Sequence, residues 1–152
     1  MSLPVHHRIR AAWSRYRLIE WLILTRNFLL LWGMWLALRT CGFARVRRWC
    51  GEFAATSGPA DATDERAAWV ERTAFLLRVA AEHSPGSVNC LPRSIVLWWL
   101  LHRAGLAPRL QIGVDPKSAG TFAHAWVEWR GTVLIDTPQH AARFTAFTET
   151  GL

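Results

Sequence analysis

Apolar residues recur along this chain with three different patterns, and each pattern predicts a different element. The segment Leu18 to Leu38, LIEWLILTRNFLLLWGMWLAL, is apolar almost throughout and long enough for one continuous helix. Its length alone permits a membrane span. Arg26 and Asn27 near its middle weigh against one. A central arginine costs roughly 2.5–3.5 kcal/mol on the insertion scale, and each leucine returns only about 0.3–0.6 kcal/mol, so the balance is near neutral. At helical spacing Arg17, Glu20 and Asn27 form a narrow polar stripe. The expectation is a mostly buried or partner-docked helix, ahead of an interfacial membrane helix, with a true span third.

The second pattern is that of ordinary helices with start and stop signals. Thr63 reads as an N-cap, with Asp64 and Glu65 in the first turn, where the helix dipole favours acids. A helix follows over about residues 64–82, with Trp69, Thr73, Leu76 and Ala80 along one face, and HSPG ends it. Asn89 reads as the next N-cap, which makes Cys90 the first helical residue. Pro92 lies in the first turn, where a missing N–H does no harm. Ile95 to Leu101 is apolar all round, the mark of a helix enclosed by other elements, and Gly105 is a natural stop.

The third pattern is alternation. PRLQIGV at 108–114 reads as a strand and DPKSAG as a turn or loop. TFAHAWVEW and TVLID read as two strands around Arg130 and Gly131. A two-residue turn would put His124 and Asp136 on opposite faces. A three-residue loop of Trp129, Arg130 and Gly131, with glycine in the left-handed position, pairs Glu128 with Thr132, Trp126 with Leu134, and His124 with Asp136. That register predicts Cβ atoms of His124 and Asp136 about 5 Å apart. Ala123, Ala125, Val127, Val133 and Ile135 then form the opposite, core face.

Composition divides the chain. It has 152 residues, 51% of them hydrophobic, which suits one compact core. Residues 1–50 carry nine arginines against Glu20 alone, a net +8, whereas 51–152 carry nine basic and ten acidic residues. AATSGPADA separates the two parts as a linker. The expected organisation is a basic, tryptophan-rich helical region at 1–53 (docking or interfacial), a linker at 54–63, and a core at 64–152. Basic segments attract nucleic acid, anionic lipid or acidic proteins. No nucleic-acid recognition motif is present and the arginines alternate with apolar residues, so nucleic-acid binding is not expected. Three cysteines with no CxxC pair give neither a disulfide framework nor a zinc site. His6, His7, His83, His102 and His140 show no ligand spacing, so no metal is expected, and absent phosphate-loop motifs leave no cofactor expected. The expected compartment is a reducing cytoplasm.

Three residues carry chemistry together. A cysteine at a helix start is favoured as thiolate by free N–H groups and the helix dipole. A histidine can pair with that thiol and protonate a leaving amine, and an aspartate can orient the imidazole. Each type alone usually packs, hydrogen-bonds or caps. The chain order Cys90, His124, Asp136, helix then hairpin, seldom arises by chance. Cys41 and Cys50 lack such partners and read as structural.

The stretches NCLPRSIVLWWLLHRAGLAPRLQIGV and FAHAWVEWRGTVLIDT resemble the transglutaminase-like fold of papain-type cysteine enzymes, and are most similar to the leader peptidases of lasso-peptide biosynthesis. The resemblance covers about residues 81–137. It implies an α+β fold, a Cys90 nucleophile, His124 as general base and acid, and Asp136 as the orienting residue. Asn89 is a candidate at the oxyanion, and Trp126 a candidate lining of the substrate groove or packing beneath the triad. The implied task is removal of the leader from a ribosomally made precursor peptide. The implied partners are a separate RiPP-recognition-element protein that holds the leader and a lasso cyclase that takes the product. The first 50 residues are the candidate docking surface for those partners or for a membrane face. Acyl or amide transfer by the same triad, and a non-catalytic scaffold, are the competing functions.

Overall fold

A computed structural model describes residues 18–54, 63–84, 90–117 and 123–146, with side chains of 51–54 outside that description. Four helices come first: α1 Leu18–Cys41, α2 Phe43–Ala54, α3 Asp64–Glu82 and α4 Cys90–Arg103. The sheet follows as β1 Arg109–Val114, β2 Ala123–Trp129, β3 Thr132–Leu134 and β4 Thr145–Ala146, with the short helix α5 Pro138–Ala141 between the last two. Strand order is β3-β2-β1-β4, every pair antiparallel. The architecture is α+β, helices layered on one sheet.

Local signals set the helix ends. The Thr63 hydroxyl accepts from the Arg66 N–H and opens α3. Gly105 ends α4 in the left-handed region (φ 82°), and Leu106 N–H returns to the Leu101 carbonyl at 3.1 Å. One core joins α1, α3, α4 and the sheet through Leu31, Leu77, Leu97, Leu101, Val127 and Trp129. A second cluster places Val46 and Cys50 of α2 against Ile95 of α4. Burial pushes the Cys50 thiol pKa up, as expected of a packed thiol. The linker expected at 54–63 falls mostly on 55–62, outside the described residues.

Three expectations need correction. Trp69 is exposed, whereas Thr73, Leu76 and Ala80 of its expected face are buried with Val70, Ala74 and Leu77. The long helix α1 is not mostly buried. Only Asn27 and Leu31 are buried along it, while Leu18, Leu22 and Leu29 stand 85%, 69% and 64% exposed. Two of its polar positions point inward: Asn27 is fully buried, accepting from Arg26, and Glu20 forms an ion pair with Arg72 of α3. A helix apolar on all sides carries no periodicity to say which side faces the core.

The third correction is the hairpin register. Trp129 pairs with Thr132, Glu128 with Val133 and Val127 with Leu134, so the turn is Arg130-Gly131 alone. Both turn residues are left-handed, φ 52° and 77°, as the tight twisted hairpin turn requires. Leu134 therefore joins the core face beside Val127, and Val133 packs on the other face near Trp126. Continued regularly, this ladder would turn Asp136 away from His124. It does not continue: Ile135 has φ 62°, an uncommon conformation for a β-branched residue, and the chain leaves the ladder there.

Candidate active site

His124 sits at the start of β2, and Asp136 just beyond the end of β3. The kink at Ile135 brings them together: His124 Nε2 lies 2.5 Å from Asp136 Oδ2. An ionised carboxylate only accepts, so Nε2 carries the proton, and in the neutral ring Nδ1 is the bare nitrogen. No hydrogen bond occupies Nδ1 among the described residues. That leaves it able to take a proton from a thiol or return one to an amine.

Asp136 is held by three donors. His140 Nδ1 approaches the same Oδ2 at 3.0 Å, and the Thr137 N–H donates to Oδ1 at 2.7 Å. Burial would raise this carboxyl. The bonds from His140, His124 and the Thr137 amide, with the charge of His140, outweigh burial and hold it below its ordinary range. Thr137 in turn caps α5, its hydroxyl accepting from the His140 N–H at 3.2 Å. His140 shows no ligand spacing to the other histidines in the sequence, yet the structure brings it to Asp136. The legible signals were its i,i+4 spacing from Asp136 and the Thr-Pro pair that starts a helix.

His124, Asp136 and His140 offer ligand atoms within 4.8 Å of one another, so the cluster has the composition of a metal site. Its spacing is that of shared protons. Zinc bonds of about 2.0–2.2 Å would spread tetrahedral ligand atoms beyond 3 Å, roughly, wider than the His124–Asp136 pair. The arrangement as it stands is a hydrogen-bonded triad of two imidazoles on one carboxylate.

Aromatic rings wall the imidazole, which is only 7% exposed. Phe144 stacks on it at 4.8 Å between centroids, Trp126 lies nearly parallel at 6.0 Å, and His140 meets it edge-on at 4.7 Å. Trp126 is itself buried beneath His124, its indole N–H donating to Glu128. Phe144 reaches His124 because Gly113 stands between them in the sheet. Gly113 pairs with His124 on one side and with Ala146 of β4 on the other. A Cβ there would lie 2.8 Å from the Thr145 carbonyl oxygen and 3.1 Å from Phe144 Cβ. Only a glycine lets β4 and Phe144 approach so close.

Cys90 is the first residue of α4, half-buried. One turn on, the buried Ser94 hydroxyl donates to the Ala125 carbonyl at 2.8 Å, beside His124. Farther along, Leu97 and Leu101 share the core with Val127 and Trp129. Cys90 thus lies one helical turn before the residue that bonds Ala125, the neighbour of His124 in β2. The thiol makes no hydrogen bond to His124 among the described residues. Asn89 lies outside them.

A helix headed by a cysteine, packed on an antiparallel sheet that carries a paired histidine and aspartate, defines an α+β protein of papain-like layout. A family model described as the transglutaminase-like superfamily matches residues 34–149, and the chain belongs to that superfamily. The superfamily includes cysteine proteases and transferases. No curated protein and no solved structure matches the chain. The matched span begins inside α1, so α2 and the last third of α1 fall within the family region.

Proposed function

We propose that this chain is a cysteine peptidase that removes the leader from a ribosomally made lasso-peptide precursor. It acts with a separate leader-binding recognition protein and hands its product to a cyclase. The observation that supports the catalytic part is the His124–Asp136 hydrogen bond, which leaves Nδ1 without a hydrogen bond among the described residues, with Cys90 at the start of the helix packed on the same strand. The leader-peptidase part rests on the resemblance of the NCLPRS and HAWVE stretches.

In this mechanism His124 Nδ1 takes the Cys90 proton, and the thiolate sulfur attacks the scissile carbonyl. The tetrahedral intermediate collapses to a leader thioester as the imidazolium protonates the departing core-peptide amine. Water, deprotonated by His124, then attacks the thioester. The leader leaves with a free carboxylate and the thiol regains its proton. Asp136 remains ionised throughout, fixing the tautomer and stabilising the imidazolium, and His140 holds that carboxylate from its other side.

Cys90→Ala should abolish cleavage of the cognate precursor in the presence of the recognition protein. Retained cleavage would refute the assignment. Mass spectrometry of the wild-type products separates the two reactions open to such a triad: hydrolysis leaves two free ends, and transfer to an amine leaves a new amide.

A further inference from the structure

The outward side of α1 has no part in the reaction proposed above, and it is unusual for a protein surface. Leu18, Leu22, Leu29 and Leu36 follow one another along it, all more than half exposed, in a row about 27 Å long. At roughly 100° per residue, exposed Arg26 falls about 65° to one side of that row and exposed Arg39 about 75° to the other. The guanidinium of Arg39 rests over the Trp35 ring at 5.6 Å. The helix's single acid, Glu20, is turned inward onto Arg72. The next helix, α2, also exposes Arg45 and Arg48, with Trp49 beside Arg48 in sequence.

We infer that this face lies on an anionic lipid bilayer, with α1 in the plane of the interface. Two observations favour lipid over a protein partner. The first is charge: an apolar row edged by arginines, with every carboxylate of α1 withdrawn, complements anionic headgroups. The second is the lack of hydrogen-bonding groups. The threonines on this side use their hydroxyls on their own helix, Thr25 donating to Trp21 O and Thr40 to Leu36 O, both at 2.9 Å. Protein interfaces carry about one hydrogen bond per 100–200 Å². Apart from the arginines and the indole of Trp21 at its edge, this face has few donors to supply them, and a bilayer needs none. A spanning orientation is excluded by the other side of α1, where Leu31 is buried in the core with α3 and α4.

The full chain is sedimented with phosphatidylcholine vesicles, with and without phosphatidylglycerol. Binding is expected to vesicles containing phosphatidylglycerol, weaker to pure phosphatidylcholine, and to fall as salt rises. The pair Leu22→Glu and Leu29→Glu should lower binding at least about tenfold. These side chains are exposed, so the circular dichroism spectrum should not change. Arg26→Gln with Arg39→Gln keeps the apolar row and should lose the preference for anionic vesicles, which tests the inference even if the glutamate pair fails to fold. Wild-type protein left in the supernatant at low salt, or a folded glutamate pair that binds as well as wild type, overturns the inference. So does self-association, or recognition-protein binding, that the glutamate pair abolishes while vesicle binding is absent.

Discussion

Gly113→Ala tests the geometry that brings the C-terminal strand to the site. A methyl group at this position would lie 2.8 Å from the Thr145 carbonyl oxygen, 3.0 Å from its carbon and 3.1 Å from Phe144 Cβ. Two of these are backbone atoms, so no side chain can rotate away; β4 itself must retreat by several tenths of an ångström. Overpacking of this kind costs about 1–3 kcal/mol, and the stiffer unfolded chain of alanine returns about 0.4–1 kcal/mol. The net loss should be about 0.5–2 kcal/mol. In a chain of this length each kcal/mol moves Tm by about 2–4 °C, so a fall of a few degrees is expected by calorimetry. The displaced strand carries Phe144 off the His124 ring, and the cleavage rate should fall with it. Gly33→Ala is the matched control. Gly33 lies inside α1 with nothing within 4 Å of an added Cβ, and replacing a mid-helix glycine should raise stability by about 0.5–1 kcal/mol. Opposite signs at the two glycines are the expected result. A Gly113→Ala protein as stable and as active as wild type would refute the close approach of β4 and the segment before it to Gly113.

Two further perturbations address how the site is held. Ser94→Ala removes the donor to the Ala125 carbonyl and should cost about 1–3 kcal/mol in urea unfolding; unchanged stability together with an unchanged cleavage rate would mean that this bond does not pin α4 to β2. His140→Ala removes a donor that lowers the Asp136 pKa. The folded Asp136 pKa is depressed, so the stability and activity that depend on its ionised form are present above the unfolded value. They are lost as pH falls through the folded one. Removing His140 should raise that folded value and move the acid limb of the pH–rate profile to higher pH. His140→Asn, which keeps a donor, should restore part of the difference, and an acid limb that stays in place would show that His140 is not needed to keep Asp136 ionised.

What could be read from residue order alone follows the range of the forces involved. Caps are local, so Thr63, Cys90 as the first residue of α4, and Gly105 all stand where the sequence implies. The inward side of α1 is not local information. It depends on which side meets α3 and α4, where Leu31 is buried and Glu20 pairs with Arg72, and a helix apolar all round offers no competing preference. Phe144 and β4 were invisible because a two-residue strand is too short to show alternation, and its place is set by the room Gly113 leaves.

The hairpin shows how a correct pairing can follow from an incorrect register. Alternation requires an odd loop if His124 and Asp136 are to share a face, and Gly131 was rightly read as left-handed. The turn has two residues because Arg130 is left-handed as well, and the parity lost there is regained at Ile135. Propensity argues against that step, since a β-branched residue resists positive φ. Something must hold it there. Ile135 packs against the main core, and the next residue accepts hydrogen bonds from His124, His140 and the Thr137 amide. Those contacts together outweigh a backbone strain of order 1–3 kcal/mol. The His124–Asp136 bond is therefore a product of the kink and not of the ladder. Strain concentrated one residue before the carboxylate is what aims Asp136 at the imidazole.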